Sequence, residues 1–267
     1  MFIKRSIIFI LLLVSSQLIA KSSEEAFTEA IDLYRTGDIQ NMKKALIVVE
    51  EALQNDPNNA KLMSQLSLVY AHMSYRDLHF GTKETDYLKL ARVLANNAIK
   101  QTKGKKTNDK IDPAYEAKKA LANVLLIEGN RGEAKKLIEE LIKQNPKDGV
   151  AFYMYACVSE GSIIDESSNA GQRMKKALEL FPTYVFSLGD MTLAYLKAGQ
   201  IDKAAEMLTK LEKDHSSNSE LAYYQGMVAL HQGKLDEARK RFQTYIDKNP
   251  TSNLSQYLKF YMDGGQQ

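Results

Sequence analysis

The chain has no tryptophan, one cysteine and five prolines in 267 residues. A lone cysteine, Cys157, excludes an intramolecular disulfide, so packing alone must hold the fold, which a chain of this length can manage. So few prolines leave long stretches free to continue as helix, and the abundance of Ala, Leu, Lys and Glu leans the same way. An excess of one charge is missing too. The net charge is +3, but Lys4 and Arg5 sit in the first twenty residues, which hold no acid. Beyond them 34 basic residues face 33 acidic ones, a balance that gives no general attraction to nucleic acid.

Long apolar runs are confined to the N-terminus. "MFIKR" is basic, "SIIFILLLV" is apolar, and "SSQLIA" is more polar and ends on a small residue, the pattern of an export signal over residues 1–20. Cleavage is expected after Ala20 or after Ser16. The apolar stretch is about 14 residues, short of the roughly 20 that a spanning helix needs. No membrane span is therefore expected after cleavage, and the chain reads as exported, either periplasmic or secreted.

Catalytic constellations are also lacking. His72, His79, His215 and His231 show no metal-ligand spacing, and Ser67 and Ser187 stand without a neighbouring base. No glycine-rich segment is placed to cradle a phosphate, since "MDGGQQ" is a chain end. No catalytic residue, metal or cofactor is expected.

What the sequence does have is a repeat. Stepping back 34 residues from Gly233, Ala238 and Phe242 gives Gly199, Ala204 and Leu208, so "AYLKAGQIDKAAEMLTKLEKDH" and "ALHQGKLDEARKRFQTYIDKNP" lie in register. The same spacing of small and large residues continues upstream. Leu121, Ala122, Leu125, Gly129, Ala134, Ile138 and Pro146 mark one unit, and Phe152, Tyr155, Ala156, Met174, Ala177 and Pro182 the next. "KKALIVVEEALQNDP" supplies Ala45, Val49, Ala52 and Pro57 of an earlier one.

This pattern resembles the tetratricopeptide repeat, a 34-residue helix-turn-helix unit. The resemblance implies an all-α fold: a right-handed α-solenoid of about six hairpins over residues 24–262, with a capping helix at 253–262. The units fall at about 26–59, 60–103, 115–148, 149–184, 185–218 and 219–252. Two insertions depart from the template. "SYRDLHFGTKETDY" is too apolar for a free linker and is expected to cover the groove end or extend a helix, while "KGKKTNDKID" reads as a mobile basic loop. After Pro250, "SNLSQYLKFYMDGG" reads as a solvating end helix.

The family binds through its inner face, which first helices line. Carried onto this sequence, the inner positions are Ser64, Leu68 and His72; Lys119, Asn123 and Leu126; Tyr153 and Cys157; Phe186, Leu193 and Lys197; Tyr223, Met227 and His231. Lys119 and Asn123 match two of the five positions of the family's carboxylate clamp. Met154, Phe186 and Asp190 fill the rest wrongly, so a clamp is not expected. The resemblance implies a non-enzymatic interaction scaffold that takes a protein or peptide through Lys119, Asn123, Tyr153, Phe186, Leu193, Tyr223 and Met227. The alternative is a carrier of a small hydrophobic ligand. Against both stands the reading that these rings pack on one another and bind nothing.

Overall fold

The computed structural model describes residues 21–80, 87–105, 109 and 111–264, with the side chains of 76–80 and 253 excepted. The expected export signal at 1–20, the centre of the first insertion and part of the second lie outside these residues. The described residues form thirteen α-helices and no strand.

Twelve helices pair into six hairpins. These are α1 (Ser23–Arg35) with α2 (Ile39–Asn55), α3 (Ala60–Phe80) with α4 (Tyr87–Thr102), and α5 (Pro113–Ile127) with α6 (Arg131–Gln144). Next come α7 (Gly149–Val158) with α8 (Asn169–Leu180), α9 (Val185–Lys197) with α10 (Ile201–Asp214), and α11 (Leu221–His231) with α12 (Leu235–Lys248). Helix α13 (Asn253–Met262) closes the stack. The arrangement is an all-α solenoid.

The repeat pattern has a steric cause. Ala134, Ala204 and Ala238 are buried where the second helix of each hairpin crosses the first. At Gly226 an added Cβ would sit 2.4 Å from the ring of Phe242. A small residue on the first helix and a large one on the second are therefore a single packing solution. The turns at Gly199 and Gly233 need φ of +72° and +75°, the left-handed region where a side chain is strained.

Helix starts follow their caps. Asp38, Asp112, Asp148 and Ser168 each accept a backbone N–H from the first turn of the next helix, and Pro113 occupies a first-turn position of α5, where the missing donor costs nothing. The apolar insertion lengthens a helix: α3 runs on to Phe80 before the undescribed residues begin. The end helix differs from expectation. It buries Leu254 and Leu258 but exposes Tyr257, Phe260 and Tyr261, so its outer face is aromatic rather than solvating.

The solenoid also does something the repeat does not encode. Its first and last thirds meet. The carbonyl of Thr36, in the α1–α2 turn, accepts from Asn218 Nδ2 at 2.9 Å, and Asp38 Oδ2 accepts from the Ser219 N–H at 2.5 Å. Gly37 lies so close to Val185 that a Cβ there would be 2.3 Å from the valine Cγ1. Tyr34 and His72, from the first two hairpins, pack on Phe186 of the fifth with centroids 5.7 and 4.0 Å apart.

Candidate functional site: a cavity on the inner side of the closed solenoid

The two ends meet, and the inner side of the solenoid holds a cavity of about 960 Å³ that is part-open to solvent. All six first helices contribute to its wall: α1 through Tyr34, α3 through His72, α5 through Lys119, α7 through Tyr153, α9 through Phe186 and α11 through Tyr223. The volume is at the upper end of the range for small-molecule sites.

Six of the seven residues expected at the site line this cavity: Lys119, Asn123, Tyr153, Phe186, Leu193 and Tyr223. Met227 is not among the lining residues. It packs in the core shared by the last hairpins instead. Leu68, His72, Leu126 and Cys157 line the cavity as well. Lys197 and His231 are exposed, and Ser64 is buried with its hydroxyl donating to the Ala60 carbonyl at 2.6 Å. Phe186 lines the cavity and also packs, since Tyr34, His72 and Tyr184 all rest on it.

Lys119, expected on the partner-binding face, is already engaged within the protein. Its Nζ lies 2.9 Å from Glu116 Oε1 and 3.5 Å from Asp148 Oδ2, and 5.3 Å above the Tyr115 ring. Tyr115 Oη donates to the same Asp148 oxygen at 2.7 Å. Burial opposes the charge on Lys119, but Glu116 and Asp148 outweigh it and hold the ammonium above the ordinary lysine range. Burial likewise opposes the charge on Asp148. Lys119, Tyr115 and the N–H groups of Ala151 and Val150 reverse that and hold its carboxyl low. The cluster is internally satisfied, so Lys119 has little left to offer a ligand.

Asp190 is the opposite case. It stands one helical turn after Phe186 on α9, on the same face, and lines the cavity. Among the described residues its sole hydrogen bond comes from Tyr153 Oη at 2.8 Å, and no lysine, arginine or histidine pairs with it. Burial therefore pushes its carboxyl up to about 6, with Tyr153 pulling the other way. Its negative charge in turn reaches Tyr75, Tyr153 and Cys157, though burial is the larger cause of their raised values. The Cys157 thiol is pushed up to about 12. Asn123, across the same cavity, hydrogen-bonds no described residue.

Sequence reasoning missed Tyr34, Tyr75 and Asp148 as wall residues, and treated Asp190 only as a mismatch. Asp190 did carry a signal: it is the one charged residue in "VFSLGDMTLAYL", Val185 to Leu196. Among the described residues no group of three or more His, Cys, Asp or Glu is placed to hold a metal, and no helix is long and apolar enough to cross a membrane.

Residues 190–253 match the tetratricopeptide repeat family. No curated protein matches the chain in sequence. Among solved structures, the human IFIT1 dimer with m7Gppp-AAAA is similar at a TM-score of 0.64 and 19% identity. That match covers 91% of this chain, which spans only 53% of the IFIT1 chain. A thermophilic tetratricopeptide-repeat protein of Thermus thermophilus is similar at 0.53 and 18%, over 76% of this chain and 98% of its own. At such identities these are likenesses of fold. Residues 190–253 thus carry tetratricopeptide repeats, and the rest of the described residues stack the same helical hairpin.

Proposed function

We propose that the protein is a non-enzymatic interaction scaffold of the cell envelope, exported to the periplasm or beyond, which grips a short segment of a partner protein in its inner cavity. The fold belongs to a family of protein-binding scaffolds, which supports the general class. The observation that carries the finer reading is the cavity wall: residues from all six first helices converge on one space, rich in tyrosine and with Asn123 unengaged. A side chain or two of a partner fills such a space better than a long helix does. In-cell photocrosslinking from Tyr223, which lines the cavity, tests the reading. A defined envelope protein captured there, and lost in a Tyr153→Ala, Phe186→Ala double variant, is the expected result. Equal capture by that variant sinks it.

A second reading is favoured by one specific observation. The contacts of Asn218 and Ser219 with the α1–α2 turn close the ring and limit the space to a small-molecule volume. A carrier of a small hydrophobic ligand fits that closure, and native mass spectrometry of the purified protein would reveal the bound mass.

A further inference from the structure

A buried carboxylate normally has a reason to stay charged or a reason to be neutral. Asp148 has the first kind, in Lys119, Tyr115 and two backbone N–H groups. Asp190 has only the Tyr153 hydroxyl, and Tyr153 is a neutral donor. Its other oxygen has no described hydrogen-bond partner, and the residue lies partly exposed on the cavity wall. A carboxylate drawn away from water with no cation beside it is unfavourable, and a fold tolerates it where something else supplies the charge.

The surroundings of Asp190 define what that something is. Tyr153, Tyr184, Phe186, His72 and Tyr75 form a continuous aromatic run. Successive centroids lie 5.3 Å (Tyr153–Tyr184), 5.1 Å (Tyr184–Phe186), 4.0 Å (Phe186–His72) and 6.3 Å (His72–Tyr75) apart. Aromatic faces attract cations by their quadrupole and repel anions, and a carboxylate among them adds a full opposite charge. A metal ion would want several oxygen ligands, and among the described residues no group of three or more acids or histidines provides them. A soft organic cation needs one anion and several rings.

We propose that Asp190 and the aromatic run around it form a site for an organic ammonium group, supplied by a lysine side chain of the bound partner or by a free small amine. The inference rests on the cavity being the binding site. It adds the charge of what enters. Ammonium binding draws Asp190 into its ionised form, so affinity is expected to be full above pH 7 and to fall as pH drops through about 6. The wall carries other charged groups: Arg35 of α1 stands 5.8 Å from the Phe181 ring centroid, and Asp112, Glu116, Lys147, Asp148 and Glu220 also line it. Lys119 is held by Glu116 and Asp148, and Arg131 of α6 donates to the Cys157 carbonyl at 2.6 Å. His72 of α3 is a further ionisable group of the wall, and its part is separated by a variant.

The test uses the full chain with labelled tyrosine rings, followed by NMR and calorimetry. The probes are tetramethylammonium, butylammonium, butyrate, and a hexapeptide carrying a central lysine or a central norleucine. The expected result is binding of the ammonium probes or the lysine peptide, with Tyr153 ring signals shifting. At least a tenfold loss is expected in Asp190→Asn at pH 7.5, a wild-type loss of similar size between pH 7.5 and 5, and a persistent pH effect in His72→Gln. Preference for butylammonium over the lysine peptide assigns the site to a free amine, and the reverse assigns it to a partner lysine. Binding of the norleucine peptide as tightly as the lysine peptide, with tyrosine shifts, overturns the cation inference but keeps the cavity as a binding site. No tyrosine shift with any probe overturns the cation site. Should Asp190→Asn fold poorly, the wild-type pH profile and the probe pairs still decide.

Discussion

Two carboxylates, Asp148 and Asp190, line one cavity and are both withdrawn from bulk water, yet they sit in opposite electrostatic states. Asp148 is gripped by an ammonium, a phenol and two backbone N–H groups, and burial fails to neutralise it. Asp190 has a phenol alone, and burial carries its carboxyl up to about 6. The contrast teaches that burial is not what decides the charge of an interior acid; the number and sign of its partners do. It also divides the wall by role. The side around Lys119 is a structural bracket joining α5 to the start of α7, whereas the side around Asp190 has no cation beside the acid.

The sharpest way to break the comparison is to remove the cation from the Lys119 side. Lys119→Met should leave Glu116 and Asp148 buried and unpaired, at a cost of about 3 kcal/mol. Urea unfolding at pH 7.5 measures it, and a loss below about 1 kcal/mol would mean that Lys119 is not what holds the bracket.

The Asp190 side should respond with the opposite sign. An acid whose folded value is raised from 3.8 to about 6 favours the folded state most when protonated. That contribution is present below about pH 4, declines as pH rises through about 6, and is absent above it. Asp190→Asn keeps the acceptor and removes the charge, so at pH 7.5 it should stabilise the unliganded protein by about 2 kcal/mol and at pH 4 change little. Thermal scans at the two pH values check this; a destabilised Asp190→Asn at pH 7.5 would show that an undetected partner compensates the charge.

The finest distinction lies in the two phenols. Tyr153→Phe deletes the one group that holds the Asp190 carboxyl down, so its titration should move above 6. Tyr115→Phe leaves Asp148 with Lys119 and its backbone donors, so its carboxyl should stay below the ordinary carboxylate range. Each change should cost about 1 kcal/mol or less in stability. Carboxyl NMR titrations of both variants read the difference directly.

The scaffold was legible in the sequence because each repeat constraint is local. Ala238 and Phe242 sit four residues apart on one helix, Gly226 on the neighbouring helix meets that same ring, and a 34-residue step copies the arrangement. The inner wall was legible for the same reason: first helices present one face, so Lys119, Tyr153, Phe186 and Tyr223 could be placed on it from periodicity and the family's register. What escaped was everything set by contacts between distant units. Asp148 reads as a helix-capping aspartate after "NPK", and nothing in its spacing announces Lys119, 29 residues before it. Lys119 on its own looks like a surface charge. Asp38 and Ser219 are 181 residues apart and carry no periodic signal at all. Met227 differs from Tyr223 on the same helix: it packs in the cores that α11 shares with its neighbours and is not on the cavity wall.

That contact between the α1–α2 turn and the Asn218–Ser219 segment changes how the molecule should come apart. An open solenoid is nearly one-dimensional, and its ends can loosen rung by rung while the middle stays folded. Here the first turn is tied to the α10–α11 junction through Thr36 and Asp38 and packs on Val185 of α9 through Gly37, so the first hairpin cannot leave without also uncovering the fifth and sixth. The stack thus inherits the cooperativity of a ring. Opening the cavity for a visitor becomes one concerted event at the seam, reported by hydrogen exchange at Ser219, whose amide is held by Asp38.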